Sequence, residues 1–372
     1  MASAALRLIF SHFERLSQIN AANLSEIQSA NNTEQSATPA QKRINATNIK
    51  SNGTHNPQEN AHNNNPAQNL KFVLYGSFVA CELFKACENV EIFVQTPKKK
   101  GILGALARFK DFRKLAQIWG EFDYAFSFRS AFSARFMLFL LRAKHKFIFD
   151  KKQNKDAHQV LKYLAFIENT LQIKATSDEL FLPTPAFKDL QASEQKILLE
   201  KFGVKKDKKL LGINAGAKYG LAKCWEREYF AQVAFEFSKT HEILIFGVSL
   251  EQEICDDIES WLAQHSVKAH NLCAKTDIKE LSQLISALDL FISNDSGAMH
   301  IAAAYKTPTI AVFGPTRFTQ TSPWRNENAK LIHLNLACMP CMKRVCPLKH
   351  HACMKELKPE LVINAAKGLL AK

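Results

Sequence analysis

The chain has 372 residues, 47% of them hydrophobic, which is enough for two domains with apolar cores. Its formal net charge of +14 and pI near 9.3 favour an anionic partner. Because the sequence has neither an Arg-rich segment nor an RNP-like motif, nucleic acid is disfavoured, and a phosphorylated glycolipid at an anionic membrane face fits the charge.

The first 69 residues divide into two parts. Residues 1–17 predict a helix without the cleavage pattern of a signal peptide. Residues 18–69 contain no aromatic residue and no valine and are dense in Asn, Gln, Ser, Thr and Ala. Such a composition cannot bury enough apolar surface to order itself, so we predict a disordered insert and assign it no function.

Residues 70–183 predict the rest of an N-terminal α/β domain. Apolar runs of strand length alternate with helical patterns, which favours a parallel sheet. The predicted strands cover residues 72–75, 92–95, 124–128 and 146–149, and the predicted helices cover 79–87, 103–119, 131–142 and 158–171. A Leu-Pro-Thr-Pro stretch at 182–185 is typical of a linker.

Residues 187–372 predict a second α/β domain. The predicted strands are 210–214, 243–246, 290–293 and 309–313, and the predicted helices are 226–239, 251–265, 278–287, 298–305 and 357–370. No apolar run approaches the length of a membrane span, which predicts a cytoplasmic protein whose nine cysteines are thiols or metal ligands.

The segment from residue 288 to 316 carries the most information. An apolar run leads into the turn Asn294-Asp295-Ser296-Gly297, then a small-residue helix with His300 one turn in, then a strand that ends at Gly314-Pro315-Thr316. Such a unit aims a helix N-terminus at the carboxyl edge of a parallel sheet, where a nucleotide pyrophosphate commonly binds. An ordinary βαβ unit with a polar turn is the alternative.

Three motifs in this order resemble glycosyltransferase family 9, the lipopolysaccharide heptosyltransferases. The turn with His300 and the Gly-Pro-Thr stretch is similar to that family's donor-binding signature. The loop from Gly216 to Trp225 resembles its Gly-Ala…Ala-Lys-x-Trp loop, and the tail from Cys338 to Cys353 is similar to that of the branch that adds the second heptose. The resemblance covers residue 70 to the C-terminus and the first dozen residues.

The resemblance implies a GT-B fold, in which two Rossmann-like domains face a cleft. It also implies inverting, metal-independent transfer of heptose from ADP-L-glycero-D-manno-heptose to the heptosyl-Kdo-lipid A inner core of lipopolysaccharide. The enzyme would need no cofactor and would lie in the cytoplasm, peripherally at the inner membrane of a Gram-negative cell. The alternatives are a family 9 transferase with another acceptor, such as the one that takes the first heptose, and a donor-binding homologue without activity.

The resemblance places the donor site at Gly216, Ala217, Lys223, Asp295, Ser296, Gly297, His300, Gly314, Pro315 and Thr316. Backbone N–H groups at Ser296 and Gly297 and the ammonium of Lys223 are expected to stabilise the departing diphosphate. Asp295 is expected to cap the helix with one oxygen and to accept sugar hydroxyls with the other. His300 is expected to donate to a phosphate or ribose oxygen.

Fewer residues are expected at the acceptor side of the site than at the donor side. Arg129 and Ser130, in the loop after the strand at 124–128, are the expected acceptor contacts. Family members begin with a strand and a Gly-Asp turn whose Asp is the proposed catalytic base, and this base is therefore expected upstream of Met1.

Four cysteines lie within sixteen residues of the tail, with the spacing C-x₂-C-x₄-C-x₆-C. Four thiolates are a ligand set for tetrahedral zinc, although the spacing is not that of a standard zinc finger. The tail therefore predicts a structural clip made by Cys338, Cys341, Cys346 and Cys353, either around a zinc ion or as packed thiols.

Overall fold

The computed structural model describes residues 71–87, 90–94, 101–205, 207–217 and 220–371. The predicted first helix, 1–17, and the predicted insert, 18–69, lie outside the described residues. Within the described ranges, no helix has both the length and the apolar character needed to cross a membrane.

The N-terminal half alternates strands and helices as predicted. Its strands are β1 (Phe72–Gly76), β2 (Val90–Val94), β3 (Phe122–Ser127) and β4 (Ala143–Ile148), and its helices are α1 (Phe78–Glu82), α2 (Gly101–Trp119), α3 (Phe132–Leu140) and α4 (Gln159–Leu171). Strand β1 pairs with β2 and β3 pairs with β4, both in parallel. Among the described residues these two pairs are not joined into one sheet, whereas the alternation alone predicted a single one.

The C-terminal half is built on one parallel sheet of six strands in the order β10-β9-β8-β5-β6-β7. The strands are β5 (Lys209–Asn214), β6 (His241–Phe246), β7 (Ala269–Asn271), β8 (Leu290–Asn294), β9 (Thr309–Val312) and β10 (Ala329–Ile332). The helices are α5 (Ala192–Lys201), α6 (Arg227–Phe237), α7 (Gln252–Gln264), α8 (Ile278–Ser286), α9 (Gly297–Tyr305), α10 (Phe318–Thr321), α11 (Ala352–Lys355) and α12 (Pro359–Leu370).

The centre of this sheet is buried on both faces. Leu211 and Ile213 of β5 and Phe291 and Ile292 of β8 are fully shielded from solvent, as expected for a parallel sheet covered by helices. From β5 the chain runs outward to β6 and β7 and then returns to the other side as β8, β9 and β10. The switch point of the strand order therefore lies between β5 and β8. Open α/β sheets generally bind their ligands at the carboxyl ends of the strands at such a point.

Some predicted elements differ from the structure. The helix predicted at 79–87 ends at Glu82, and turns follow it. Helices α5, α10 and α11 and strands β7 and β10 were not predicted. The two strands have only three and four residues, which is too short for a periodic signal in the sequence.

Candidate functional site

The turn between β8 and α9 stands at the switch point, and Ser296 is the residue that caps the helix. Its backbone is extended (φ −137°, ψ 172°), and its hydroxyl accepts a hydrogen bond from the N–H of Met299 at 3.4 Å. Asp295 was predicted to supply this cap, and that part of the prediction is wrong. The helix begins one residue later than an Asp295 cap requires, so the serine oxygen is the one within reach of the free N–H groups.

Asp295 instead forms a buried ion pair with Lys223. The Lys223 Nζ lies 2.5 Å from Asp295 Oδ2, and the two side chains are only 12% and 6% exposed. The hydroxyl of Thr316 donates to the same oxygen at 2.7 Å. Three residues predicted for the donor site, from the loops after β5, β8 and β9, are thus in direct contact.

Two asparagines for which the sequence predicted no role position these loops. The Asn294 side chain donates to Ala215 O at 2.5 Å and accepts from the backbone N–H of Trp225 at 3.2 Å, so it holds both ends of the loop that carries Lys223. Asn214 Nδ2 donates to Ser296 Oγ at 3.4 Å. A polar residue that ends a buried apolar strand is the sequence signal for both asparagines.

His300 lies one turn into α9 and is electrically neutral. Burial lowers its pKa to about 3, and the nearby charge of Lys223 acts in the same direction. Its Nδ1 atom is buried and has no hydrogen-bond partner among the described residues. An unpaired buried nitrogen costs free energy, so a ligand that pairs with it would gain from this site.

The three glycines predicted for the site have different environments. A side chain at Gly216 would collide with the carboxylate of Glu251, and a Cβ at Gly314 would lie 2.7 Å from Met354 Sδ. A larger residue at either position would have to displace one of these two side chains. A Cβ at Gly297 would meet nothing within 4 Å, so the start of α9 faces open space in which a ligand can approach the N–H groups.

Ala217 and Pro315 lie in the loops that flank the ion pair. Ala217 O accepts from Gly220 N at 3.3 Å, and Pro315 O accepts from Met342 N at 2.8 Å. Their carbonyl groups are thus engaged by the protein itself. All ten predicted donor residues lie at the carboxyl edge of the C-terminal sheet or in the first turn of α9.

Arg129 and Ser130 lie elsewhere, in the loop between β3 and α3. Arg129 is exposed, and its N–H donates to the hydroxyl of Ser127 at 3.3 Å. Ser130 O accepts from Arg135 Nε at 3.4 Å. These contacts are local to the N-terminal half, and the assignment of both residues to the acceptor stays a prediction.

The cysteine-rich tail adjoins the donor loops. Its four cysteines line one small cavity together with Ala222 and Pro315. The pKa of Cys353 is raised to about 11, mainly by burial and in smaller part by the three other tail cysteines. The predicted clip, around zinc or as packed thiols, stays a prediction at this point.

Comparison with known proteins agrees with this geometry. Residues 112–352 match the family model described as glycosyltransferase family 9 (heptosyltransferase). The chain is 51% identical over 304 residues to lipooligosaccharide heptosyltransferase 2 of Campylobacter jejuni subsp. jejuni serotype O:2. The aligned region spans 82% of this chain and 90% of that relative. Lipopolysaccharide heptosyltransferase 2 of Salmonella typhimurium is 26% identical over 226 residues, 59% of this chain and 64% of that relative.

Solved structures share the fold. The ADP-heptose lps heptosyltransferase II of E. coli matches with a TM-score of 0.62 at 20% identity and covers 81% of this chain and 89% of its own. A glycosyl transferase family 9 structure from Veillonella parvula matches with a TM-score of 0.66 at 18% identity, over 81% of this chain and 88% of its own. The predicted GT-B fold is confirmed.

Proposed function

The chain belongs to glycosyltransferase family 9, the heptosyltransferases, and we propose that it moves heptose from ADP-L-glycero-D-manno-heptose to the heptosyl-Kdo-lipid A inner core of lipopolysaccharide. The observation that carries the proposal is the buried contact of Lys223, Asp295 and Thr316 beside the open N-terminus of α9. This arrangement suits a substrate with a diphosphate and a polyhydroxylated sugar.

The diphosphate is placed at the start of α9. The free N–H groups of the first helical turn and the helix dipole stabilise negative charge as the sugar–phosphate bond breaks. Lys223 adds a full positive charge, which its ion pair with Asp295 holds in position. The chain contains no Asp-x-Asp triplet, and these groups take the place of a bound cation in a metal-independent transfer.

The rest of the donor is placed between Asp295 and His300. Asp295 Oδ2 accepts from Lys223 and Thr316, so the other carboxylate oxygen, Oδ1, is the one assigned to a sugar hydroxyl. His300 is neutral at physiological pH because its pKa is low, and its unpaired Nδ1 pairs with a ribose hydroxyl or a phosphate oxygen. The tautomer that binds is set by which of these groups lies opposite Nδ1.

The acceptor is a membrane glycolipid, and helix α3 offers a surface for the membrane. Phe132, Phe136 and Phe139 share one helical face and are 83%, 50% and 75% exposed. Arg135 on the same helix and Lys146 on β4 are also exposed and line an adjoining groove. Aromatic side chains flanked by cations suit the interface of an anionic bilayer. We therefore place the protein in the cytoplasm, peripherally at the inner face of the inner membrane, with no role for nucleic acid.

A transfer assay tests the function. The purified protein is incubated with ADP-heptose and with one of two acceptors, heptosyl-Kdo-lipid A or Kdo-lipid A, and each product is analysed by mass spectrometry and for anomeric configuration. One added heptose in α linkage on the heptosyl acceptor alone is expected. Addition to Kdo-lipid A alone would indicate the first heptosyl transfer, and ADP binding without any product would favour the inactive homologue. The 51% identity to an enzyme named as a heptosyltransferase does not favour that last alternative.

Vesicle binding tests the membrane surface separately. The variant Phe132→Ser/Phe139→Ser is expected to lose sedimentation with phosphatidylglycerol vesicles. Phe235→Ser, which changes an exposed aromatic residue of α6 in the other half, is the matched control and should sediment normally. Equal sedimentation of both variants would contradict the assignment of α3.

A further inference from the structure

The segment between β10 and α11 is a long connection without regular structure. Residues 333–351 contain neither helix nor strand, and loops of this length inside a compact domain usually serve a function. Three residues that are not glycine adopt left-handed backbone angles there: Met342 (φ 55°), Lys349 (φ 61°) and His351 (φ 53°). Such conformations are disfavoured and persist where the surroundings fix them.

Four thiols border one cavity at this segment, three of them within it and the fourth, Cys353, in α11. Cys338, Cys341, Cys346 and Cys353 line one cavity of about 20 Å³. A cavity of roughly 10–15 Å³ on this measure already holds a water molecule, so the space accepts one metal ion. Within the described ranges, no group of three or more His, Cys, Asp or Glu side chains is already arranged to hold a metal. Binding would therefore require the thiol side chains to turn inward.

The same segment holds both donor loops. Arg344 O accepts from Ala222 N at 3.2 Å, and His351 Nε2 contacts Ala222 O at 3.0 Å, next to Lys223. On the other side, Met342 N donates to Pro315 O at 2.8 Å, next to Thr316. Ala222 and Pro315 also line the thiol cavity, so whatever fills this cavity touches both loops.

The segment also comes very close to the loop that carries Lys223. A Cβ at Gly220 would lie 2.6 Å from Arg344 O, and the φ of +149° at Gly220 is one that other residues rarely adopt. Glycine is thus needed where the tail meets the loop that carries Lys223. This contact couples the position of the tail to the position of the donor loop.

We propose that Cys338, Cys341, Cys346 and Cys353 bind one structural Zn²⁺ ion, and that this ion fixes the two donor loops through the segment that contacts them. Each thiol releases its proton to solvent and coordinates as a thiolate. The ion takes no part in the chemistry. It makes the tail rigid, and the tail transmits that rigidity to Lys223 and Thr316 through the backbone contacts at Ala222 and Pro315.

Metal content is the first test, and it does not depend on the proposed activity. The full chain, purified under reducing conditions with added zinc and then dialysed, should carry one zinc per chain. Replacement by Co²⁺ should give the intense thiolate charge-transfer and visible bands of a tetrahedral site. Cys341→Ser/Cys346→Ser should lose the metal, and Cys87→Ser, a cysteine outside the tail, should keep it. A metal-free wild-type protein under these conditions, or native tail cysteines paired as disulfides, would overturn the proposal.

ADP binding tests the coupling to the donor loops, and this step rests on the proposed function. Removing zinc from the wild-type protein with a chelator should weaken ADP binding at least about fivefold, the lower range of ordinary coupling between sites, and zinc should restore it. Limited proteolysis should cut between residues 338 and 351 only in the metal-free form. Unchanged ADP affinity and proteolysis after complete zinc removal would refute the coupling. Failure of ADP to bind even the zinc-loaded protein would instead count against the proposed function.

Discussion

Neutralising Asp295 tests the buried ion pair at the centre of the site. In Asp295→Asn the side chain keeps its size, and its amide oxygen still accepts from Thr316, but Lys223 loses its counter-charge. With side chains only 12% and 6% exposed, the Lys223 ammonium has little access to water. Removing one partner of a buried pair costs about 3–5 kcal/mol, and because one hydrogen bond is retained we expect a loss of about 3 kcal/mol for this variant.

Urea unfolding measures that loss of stability. The double variant Asp295→Asn/Lys223→Met should recover part of it, because no uncompensated charge then remains, and the cycle yields the coupling free energy. Glu236→Gln breaks the exposed pair with Lys367, whose side chains are 42% and 55% exposed, and should cost less than about 1 kcal/mol. An Asp295→Asn protein as stable as the Glu236→Gln control would refute the buried pair.

The neighbouring side chains provide three more tests. The pKa of His300 is lowered to about 3, so between about pH 6 and pH 4 the unfolded chain binds a proton that the folded chain does not. As the pH is lowered through this range, the free energy of unfolding should therefore fall more steeply in the wild type than in His300→Phe. The difference in slope should be about 1.4 kcal/mol per pH unit, and parallel pH profiles would contradict this. Thr316→Val removes the hydrogen bond to Asp295 and should lower kcat/KM for the donor about tenfold, whereas Thr316→Ser should stay near wild type; equal rates would exclude a role for the hydroxyl. Trp225→Phe leaves the buried Leu357 carbonyl without its 2.7 Å donor and should lower the free energy of unfolding by about 1–3 kcal/mol, which thermal or urea unfolding would detect.

The strand–turn–helix unit at β8 and α9 was predictable because each of its signals is local. Buried strand residues form a continuous apolar run, and turn residues mark its end. The capping residue was not predictable to one position. Asp295 and Ser296 are both good N-caps, and the choice depends on the residue at which the helix begins.

Contacts between distant loops were beyond the sequence alone. Lys223 and Asp295 are 72 positions apart, and they meet because β5 and β8 are neighbours in the sheet. Strand order is a property of the whole fold, so the family resemblance could place both residues in one site but could not predict their pairing. The role of Asn294 in holding the Lys223 loop is hidden for the same reason.

The most direct test of the donor site measures the response of the His300 side chain to the donor. Nuclear magnetic resonance of the protein with isotope-labelled histidine is recorded while ADP-heptose is added. His241 is the internal control, because its Nε2 is the other buried histidine nitrogen without a partner among the described residues, and it lies at the start of β6, on the opposite edge of the sheet. We expect the His300 imidazole resonances to shift to saturation while those of His241 stay in place. Unchanged His300 resonances at saturating ADP-heptose would contradict the site.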